Sequence, residues 1–421
     1  MISCLLLNVF LVACWDKHEL QHLGIILGFG IDIVPEQERQ NGEKILLTSE
    51  LANVLQGTGL EESQTFSSTG KSVLDALRNT KNKMERDIFV GITRELVLGK
   101  SVVEEGANKY IDYFYRDNDL SPNIYIVIAE ESAKDLMKGK AGLTHFSSIG
   151  RMDILDMQEL RSSGRIHAIT LSEYIQCMMK ENKAILVPVA ALEAMEDKES
   201  GSGGGGGGGG QNQSRGNKGG GGSSGGGSSG SGGSESHGQT KVYFKCMAIL
   251  DDNGRFVANL EDMENYGAMF WLNKSRNLVL PIENKSSSEI ISVYIQKFSR
   301  KMKWEINNDK LKLNVNLKAL GYFGEEEGTP GPFTSGTNNK KLKAVCAQEI
   351  EKIMTKTWNR SLSLQQDFLN IGEHLKKHEY KTWQKVKKDW PQAMKDIEIN
   401  INVEPKISFN NNANKSMWKE R

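Results

Sequence analysis

Two hydrophobic periodicities alternate along the first half of the chain. "GIILGFGIDI" (24–33), "KILLTSEL" (44–51), "DIFVGITRELVLG" (87–99) and "NIYIVIAE" (123–130) are rich in β-branched and aromatic residues and bounded by Gly, Pro, Asn or Asp, as strands are. Between them, "SVLDALRNTKNKM" (72–84) and "VVEEGANKYIDYFYR" (102–116) place Val73, Leu74 and Leu77, then Val103, Ala107, Ile111 and Phe114, at helical spacing. "SEYIQCMMKEN" (172–182) adds a helix with Ser172 as its expected N-cap, and "AILVPV" (184–189) a strand after it.

The pattern then stops. Residues 201–238 are almost entirely Gly and Ser; Gly loses the most entropy on ordering, and nothing in the stretch can be buried. It lacks the Lys-Ser/Thr, the preceding strand and the following helix of a phosphate-binding loop. It reads as an insertion in a connection, because the cost of closing a loop grows only slowly with its length. Beyond it, "KVYFKCMAIL", "GRFVANL" and "NLVLPI" are short strands, the first two joined by a "DDNG" turn at 251–254. "EIISVYIQKFSRKMKWEI" and "KLKLNVNLKAL" alternate as half-buried antiparallel strands do, and "EEEGTPGPFTSGTNNKK" after them is a loop by composition. From Leu342 to Lys377 there is no Pro and a single Gly, Gly372, which predicts one long helix or two abutting ones with Val345, Ile350, Ile353, Met354 and Phe368 buried. "DIEININVEP" alternates again before an Asn-rich polar tail.

With 421 residues there is room for two or three domains. The reading is α+β, with three mixed α/β domains in series: 14–199, a small β-rich unit at 239–285, and 286–408 with the long helix. The segment 1–13 precedes them, the insertion 200–238 separates the first two, and the tail is 409–421. Lys plus Arg and Asp plus Glu are 53 each, so overall charge gives no argument for a nucleic-acid partner. The local excess of bases in "KKHEYKTWQKVKKDW" fits a solvated helix face.

Composition is most informative at the N-terminus. The run Ile2–Ala13 is uncharged but shorter than the roughly 20 residues a membrane-spanning helix needs. As a secretory signal it has the apolar middle and the small residue before a cleavage point, though no basic start. Leu11-Val12-Ala13-Cys14 resembles a lipobox, in which the cysteine receives a diacylglycerol and becomes the new N-terminus. The competing expectation is that this run begins a folded core. Of the five cysteines, Cys4 would leave with the signal and Cys14 would be acylated. Cys177, Cys246 and Cys346 have no CxxC spacing and are expected to pack as small hydrophobes.

No catalytic pattern stands out in the sequence. Gly28-Phe29-Gly30 has Ile33 where a dinucleotide fingerprint needs its third Gly, so these glycines are expected to admit a closely packed segment. His374 and His378 share a helix face, but Leu375 stands where a zinc protease has its Glu; solvated histidines are expected. The acid pairs Glu61-Glu62 and Asp251-Asp252 are expected in loops, and Trp271, Trp358, Trp383 and Trp390 in the core. No catalytic, metal or cofactor residue is assigned.

The order of these pieces resembles the Ger(x)C family, the lipoprotein C subunits of the germinant receptors of spore-forming bacteria. The likeness begins at Cys14-Trp15-Asp16-Lys17 and continues in the Gly-x-Gly-x-Asp that ends at Asp32. It runs on through "NIYIVIAEESAKDLMKG" and "CMAILDDNGRFVANLEDMENYGAMFWLNK" to Asp367-Phe368 and the Trp383 and Trp390 region. The resemblance implies a three-domain protein without catalytic apparatus, held by lipid on Cys14 to the outer face of the spore inner membrane. There it would act with integral-membrane A and B subunits in nutrient-triggered germination. A solute-binding lipoprotein serving a transporter is the other expectation.

Overall fold

The computed structural model describes residues 23–54, 61–84, 86–142, 144–159, 164–181, 184–194, 240–274, 276–283, 290–307, 310–326 and 339–409. The apolar run with Cys14, the Gly/Ser insertion and the polar tail from 410 onward lie outside them. In chain order the elements begin with β1 (Leu23–Ile33), β2 (Ile45–Val54), β3 (Glu61–Gly70), α1 (Val73–Lys81), β4 (Asp87–Phe89) and β5 (Glu95–Leu98). There follow α2 (Lys100–Glu105), α3 (Asn108–Arg116), β6 (Tyr125–Ala129), α4 (Ala133–Lys138), α5 (Ser147–Met157), α6 (Leu171–Met178) and β7 (Ile185–Ala194). After the insertion come β8 (Thr240–Leu250), β9 (Phe256–Asn259), α7 (Asp262–Leu272), β10 (Leu278–Glu283), β11 (Ile290–Asn307) and β12 (Lys310–Glu326). The chain closes with α8 (Asn339–Leu364), α9 (Ile371–His378), α10 (Tyr380–Val386), α11 (Trp390–Lys395) and β13 (Glu398–Ser408).

The fold is α+β, as expected, and the described residues build two sheets. The first has the order β3-β2-β1-β5-β6-β7-β8-β9, with β4 beside β1. Its centre, β1, β5, β6 and β7, is parallel and its flanks are antiparallel. Parallel neighbours need crossovers, which α2–α3 and α4–α6 supply. One face packs on α1, α2, α3 and α6 through Leu77, Val102, Ile111, Phe114 and Tyr174. The other packs on α4 and α5 through Met137, Met152 and Leu155, and this core runs without a break into the second unit at Trp271, Leu313 and Ile350.

The second sheet has the order β10-β11-β12-β13, with α8 against its inner face. The strands read as a separate middle unit are thus divided: β8 and β9 extend the first sheet, and β10 starts the second. The continuous core explains this, because a short β-rich segment lacks apolar area for a core of its own and completes its neighbours. On the outer face of β12 and β13, Lys312–Glu398 and Lys318–Glu404 ion pairs flank two Asn–Asn hydrogen bonds, Asn400 to Asn314 and Asn402 to Asn316. A solvated face of this kind explains the strict alternation of "DIEININVEP".

Several local expectations change. The helix expected over 102–116 breaks in two at Gly106, whose φ of +110° only Gly adopts readily. The α6 N-cap is Thr170, not Ser172: Thr170 Oγ1 accepts the Glu173 N–H while Glu173 accepts the Thr170 N–H. Glu61 and Glu62 open β3, whereas Asp251 and Asp252 do lie in the β8–β9 turn. Gly28 and Gly30 act as expected. A Cβ on Gly28 would run into the Ser148 hydroxyl of α5 and meet Glu95 Cγ at 2.8 Å, and one on Gly30 would come to 3.2 Å from Ala133 Cβ of α4, so α4 and α5 can press onto β1 only where it lacks side chains.

α7 and α8 use the same device. Gly267 faces Ile353 and Thr357, and Trp271 Nε1 donates to the Met354 carbonyl at 2.9 Å. A Cβ at 267 would meet Thr357 Cβ at 2.8 Å and the Ile353 carbonyl oxygen at 2.9 Å. Backbone cannot yield as a side-chain tip can, so Gly267→Ala is expected to cost about 1–3 kcal/mol. Urea titration checks it: a fall in midpoint at unchanged slope is expected, and an unchanged midpoint would show that the helices can part freely.

Candidate functional site

The two units meet where α6, the end of α7 and the α8–α9 connection converge. This junction encloses a cleft of about 220 Å³ lined by His167, Glu173, Cys177, Lys180, Lys274 and Asn370 among others. Lys180 Nζ donates to Asn370 Oδ1 at 3.4 Å, and Lys274 pairs with Glu173 at 3.4 Å. Just outside, Glu181 reaches from the end of α6 into the basic helices of the second unit. It accepts from Trp383 Nε1 at 2.8 Å and lies 3.7 Å from Lys376 and 4.0 Å from Lys387. The indole hydrogen bond, with help from the two lysines, lowers its carboxyl. The basic run read as a solvated face therefore also holds the two units together.

The cleft's chemistry is that of packing and charge. The Cys177 thiol donates a hydrogen bond to the Ala184 carbonyl, and burial pushes the thiol up. Burial likewise raises Cys246 to about 11 and Cys346 to about 12, so these buried thiols stay protonated at neutral pH. His167 is occupied by Glu159, 2.7 Å from its Nδ1. Among the described residues no group of three or more His, Cys, Asp or Glu could hold a metal ion.

His374 is half-buried rather than solvated. Trp304 Nε1 donates to its Nδ1 at 2.9 Å, and its ring stacks on His378 at 4.0 Å. An indole N–H can only donate, so His374 is neutral with its proton on Nε2. Burial, then the neighbouring His378 and Arg300, lowers it to about 4. All four tryptophans expected in the core are there.

Two buried polar constellations escaped the sequence reading. In the first unit, Arg151 of α5 lies between Glu50 of β2 and Glu95 of β5, all with fully buried side chains. Arg151 Nε donates to Glu95 Oε1 at 3.0 Å, and Nη2 donates to Glu50 Oε2 at 3.0 Å and also to Glu95. Ser148 adds its N–H to Glu50 at 2.9 Å, and its hydroxyl to the same oxygen. In the second unit, buried Asp367 accepts from the N–H groups of Ile371 at 2.9 Å and Gly372 at 2.6 Å, and from Trp390 Nε1 at 3.0 Å. Asp32, the acid of Gly-x-Gly-x-Asp, caps α4 in the same manner, accepting the N–H groups of Ala133 and Lys134 at 2.9 Å each. All three tie distant segments together; Cys14, the one residue assigned a modification, lies outside the described residues.

Comparison with known proteins agrees with this architecture. Residues 16–192 match the family described as "Spore germination protein N-terminal domain", and residues 246–409 match "Spore germination B3/ GerAC like, C-terminal". The chain is 22% identical to "Spore germination protein KC" of Bacillus subtilis (strain 168), covering 100% of this chain and 98% of the other. It is 20% identical to "Spore germination protein B3" of the same organism, covering 94% of each. A solved structure, "Crystal Structure of the GerBC protein", shares the fold with a TM-score of 0.50 at 15% identity, covering 93% of this chain and 99% of that one. The two family matches span both sheets in the expected order, and the chain belongs to the Ger(x)C family of spore germination proteins.

Proposed function

We propose that this chain is the lipid-anchored, non-enzymatic C subunit of a spore germinant receptor, acting with membrane A and B subunits in nutrient-triggered germination. Its place is the outer face of the spore inner membrane. The observation that carries the anchor is Leu11-Val12-Ala13-Cys14 at the end of an apolar run, upstream of both family matches. Among the described residues no helix is long and apolar enough to cross a membrane, so attachment rests on lipid or partners. The two chains of a diacylglycerol hold durably where one acyl chain would not. Tethering confines the protein to a thin layer, which raises its effective concentration near membrane partners. Deleting the gene in a strain without redundant receptors is expected to abolish germination by at least one nutrient. Unchanged germination by every nutrient would overturn the proposal.

The cleft keeps a second reading in view, a solute-binding lipoprotein of a transporter. That class closes two lobes of similar size on its ligand, whereas here a nine-stranded sheet meets a four-stranded one. Titrating the purified chain with amino acids and sugars separates the two readings, since tight binding by this chain alone supports the second.

A further inference from the structure

We infer that the end of the first sheet where the chain enters β1 is a docking surface for the headgroups of an anionic bilayer. This rests on the proposed anchor at Cys14. Eight residues lie between Cys14 and Leu23, and whatever their conformation the nine steps from one to the other span at most about 30 Å. The entry end of β1 therefore stays within that distance of the lipid, while the opposite end of the strand lies about 35 Å further along.

At the entry end a concavity of about 300 Å³ is floored by Leu51, Phe66 and Met84 and rimmed by Lys83 and Arg86. Its wall includes Gly24, the second residue of β1, whose missing Cβ would lie 3.8 Å from Arg86 Cβ. β4 pairs in parallel with the first residues of β1, Leu23 with Asp87, which fixes the basic segment just before it beside the entry point. Lys81, Lys83 and Arg86 are all exposed, and Lys83 Nζ donates only a neutral hydrogen bond, to the Ser67 carbonyl at 3.0 Å. From 78 to 87 the chain carries four bases against Glu85 and Asp87. Cations rimming an apolar floor, on a short leash from a lipid, match a layer of phosphate headgroups over acyl chains. Each base near such a surface adds about five-fold to partitioning.

The test uses the full chain in two forms on vesicles of phosphatidylcholine with or without phosphatidylglycerol. In the first, the lipidated chain carries an environment-sensitive fluorophore on Gln64→Cys, exposed at the concavity, or on Glu36→Cys, beyond the far end of β1. Cys177, Cys246 and Cys346 are buried, so the introduced thiol takes the label. The Gln64 probe is expected to brighten on phosphatidylglycerol vesicles while the Glu36 probe does not. Two silent probes on vesicle-bound protein, or two equal responses, would overturn the surface without touching the anchor. In the second, Cys14→Ala removes the anchor, and the neutralised variant Lys81→Gln/Lys83→Gln/Arg86→Gln is expected to partition about 100-fold less than its parent. Equal partitioning would overturn the proposal even with the lipid on Cys14 proven, and absence of that lipid from the native chain would sink the anchor alone.

Discussion

Arg151→Ala is expected to destabilise the protein by about 3–5 kcal/mol, because it leaves the Glu50 and Glu95 carboxylates facing each other out of water with no cation between them. Burial works against the guanidinium charge, but Glu95 and Glu50 outweigh it and keep Arg151 protonated. Two acids share one base here, and Glu50 Oε1 has no hydrogen-bond partner among the described residues. Burial correspondingly raises Glu95, with Arg151 pulling the other way. A carboxyl whose folded pKa lies above its unfolded value contributes stability that is present below the unfolded value and is lost as pH rises through the folded one. Glu95→Gln, which keeps shape and removes one charge, is therefore expected to cost far less than Arg151→Ala, and to cost least at high pH. Urea titrations at several pH values check both; a loss under about 1 kcal/mol for Arg151→Ala would mean that water reaches the cluster.

Asp367→Ala is expected to cost about 3 kcal/mol and to loosen the junction between the units. Its carboxylate serves two N–H groups at the start of α9, where Asn370 at φ 59° makes no side-chain cap, and the Trp390 indole at the start of α11. Removing it strands three buried donors, each worth about 1–3 kcal/mol when unpaired. Trp383 packs edge-on against Trp390 at 5.1 Å and donates to Glu181 of the first unit, so the loss propagates to the junction. Asp367→Asn is expected to recover part of the loss, since an amide oxygen still accepts. Denaturation followed by tryptophan fluorescence would show it, and equal stability of Asp367→Ala and the parent would contradict this role.

Strand and helix positions were largely legible because most elements bury one face. β1, β2, β6, β8, β11, β12 and β13 lie where alternation or apolar runs place them, and the break between α8 and α9 falls inside the proline-free stretch. β3 was not legible: "EESQTFSSTG" has Phe66 as its one apolar residue, and only β2 beside it makes it a strand. Sheet membership was also hidden, since nothing local in "KVYFKCMAIL" or "NLVLPI" tells which sheet each completes. The buried Arg151 cluster and the Glu181–Trp383 contact were invisible for the same reason. Arg151 is 101 residues from Glu50 and 56 from Glu95, and Glu181 is 202 from Trp383, so no spacing along the chain marks them.

Whether the protein works from a lipid tether turns on one residue, Cys14. Mass spectrometry of the mature N-terminus from the membrane fraction, with Cys14→Ala for comparison, decides it. A chain that begins at Cys14 and carries a diacylglyceryl group is expected, with release of the Cys14→Ala protein from the membrane. A soluble protein with an intact Met1 and no lipid would contradict it, and would make "LVACWDKHEL" the start of a folded core.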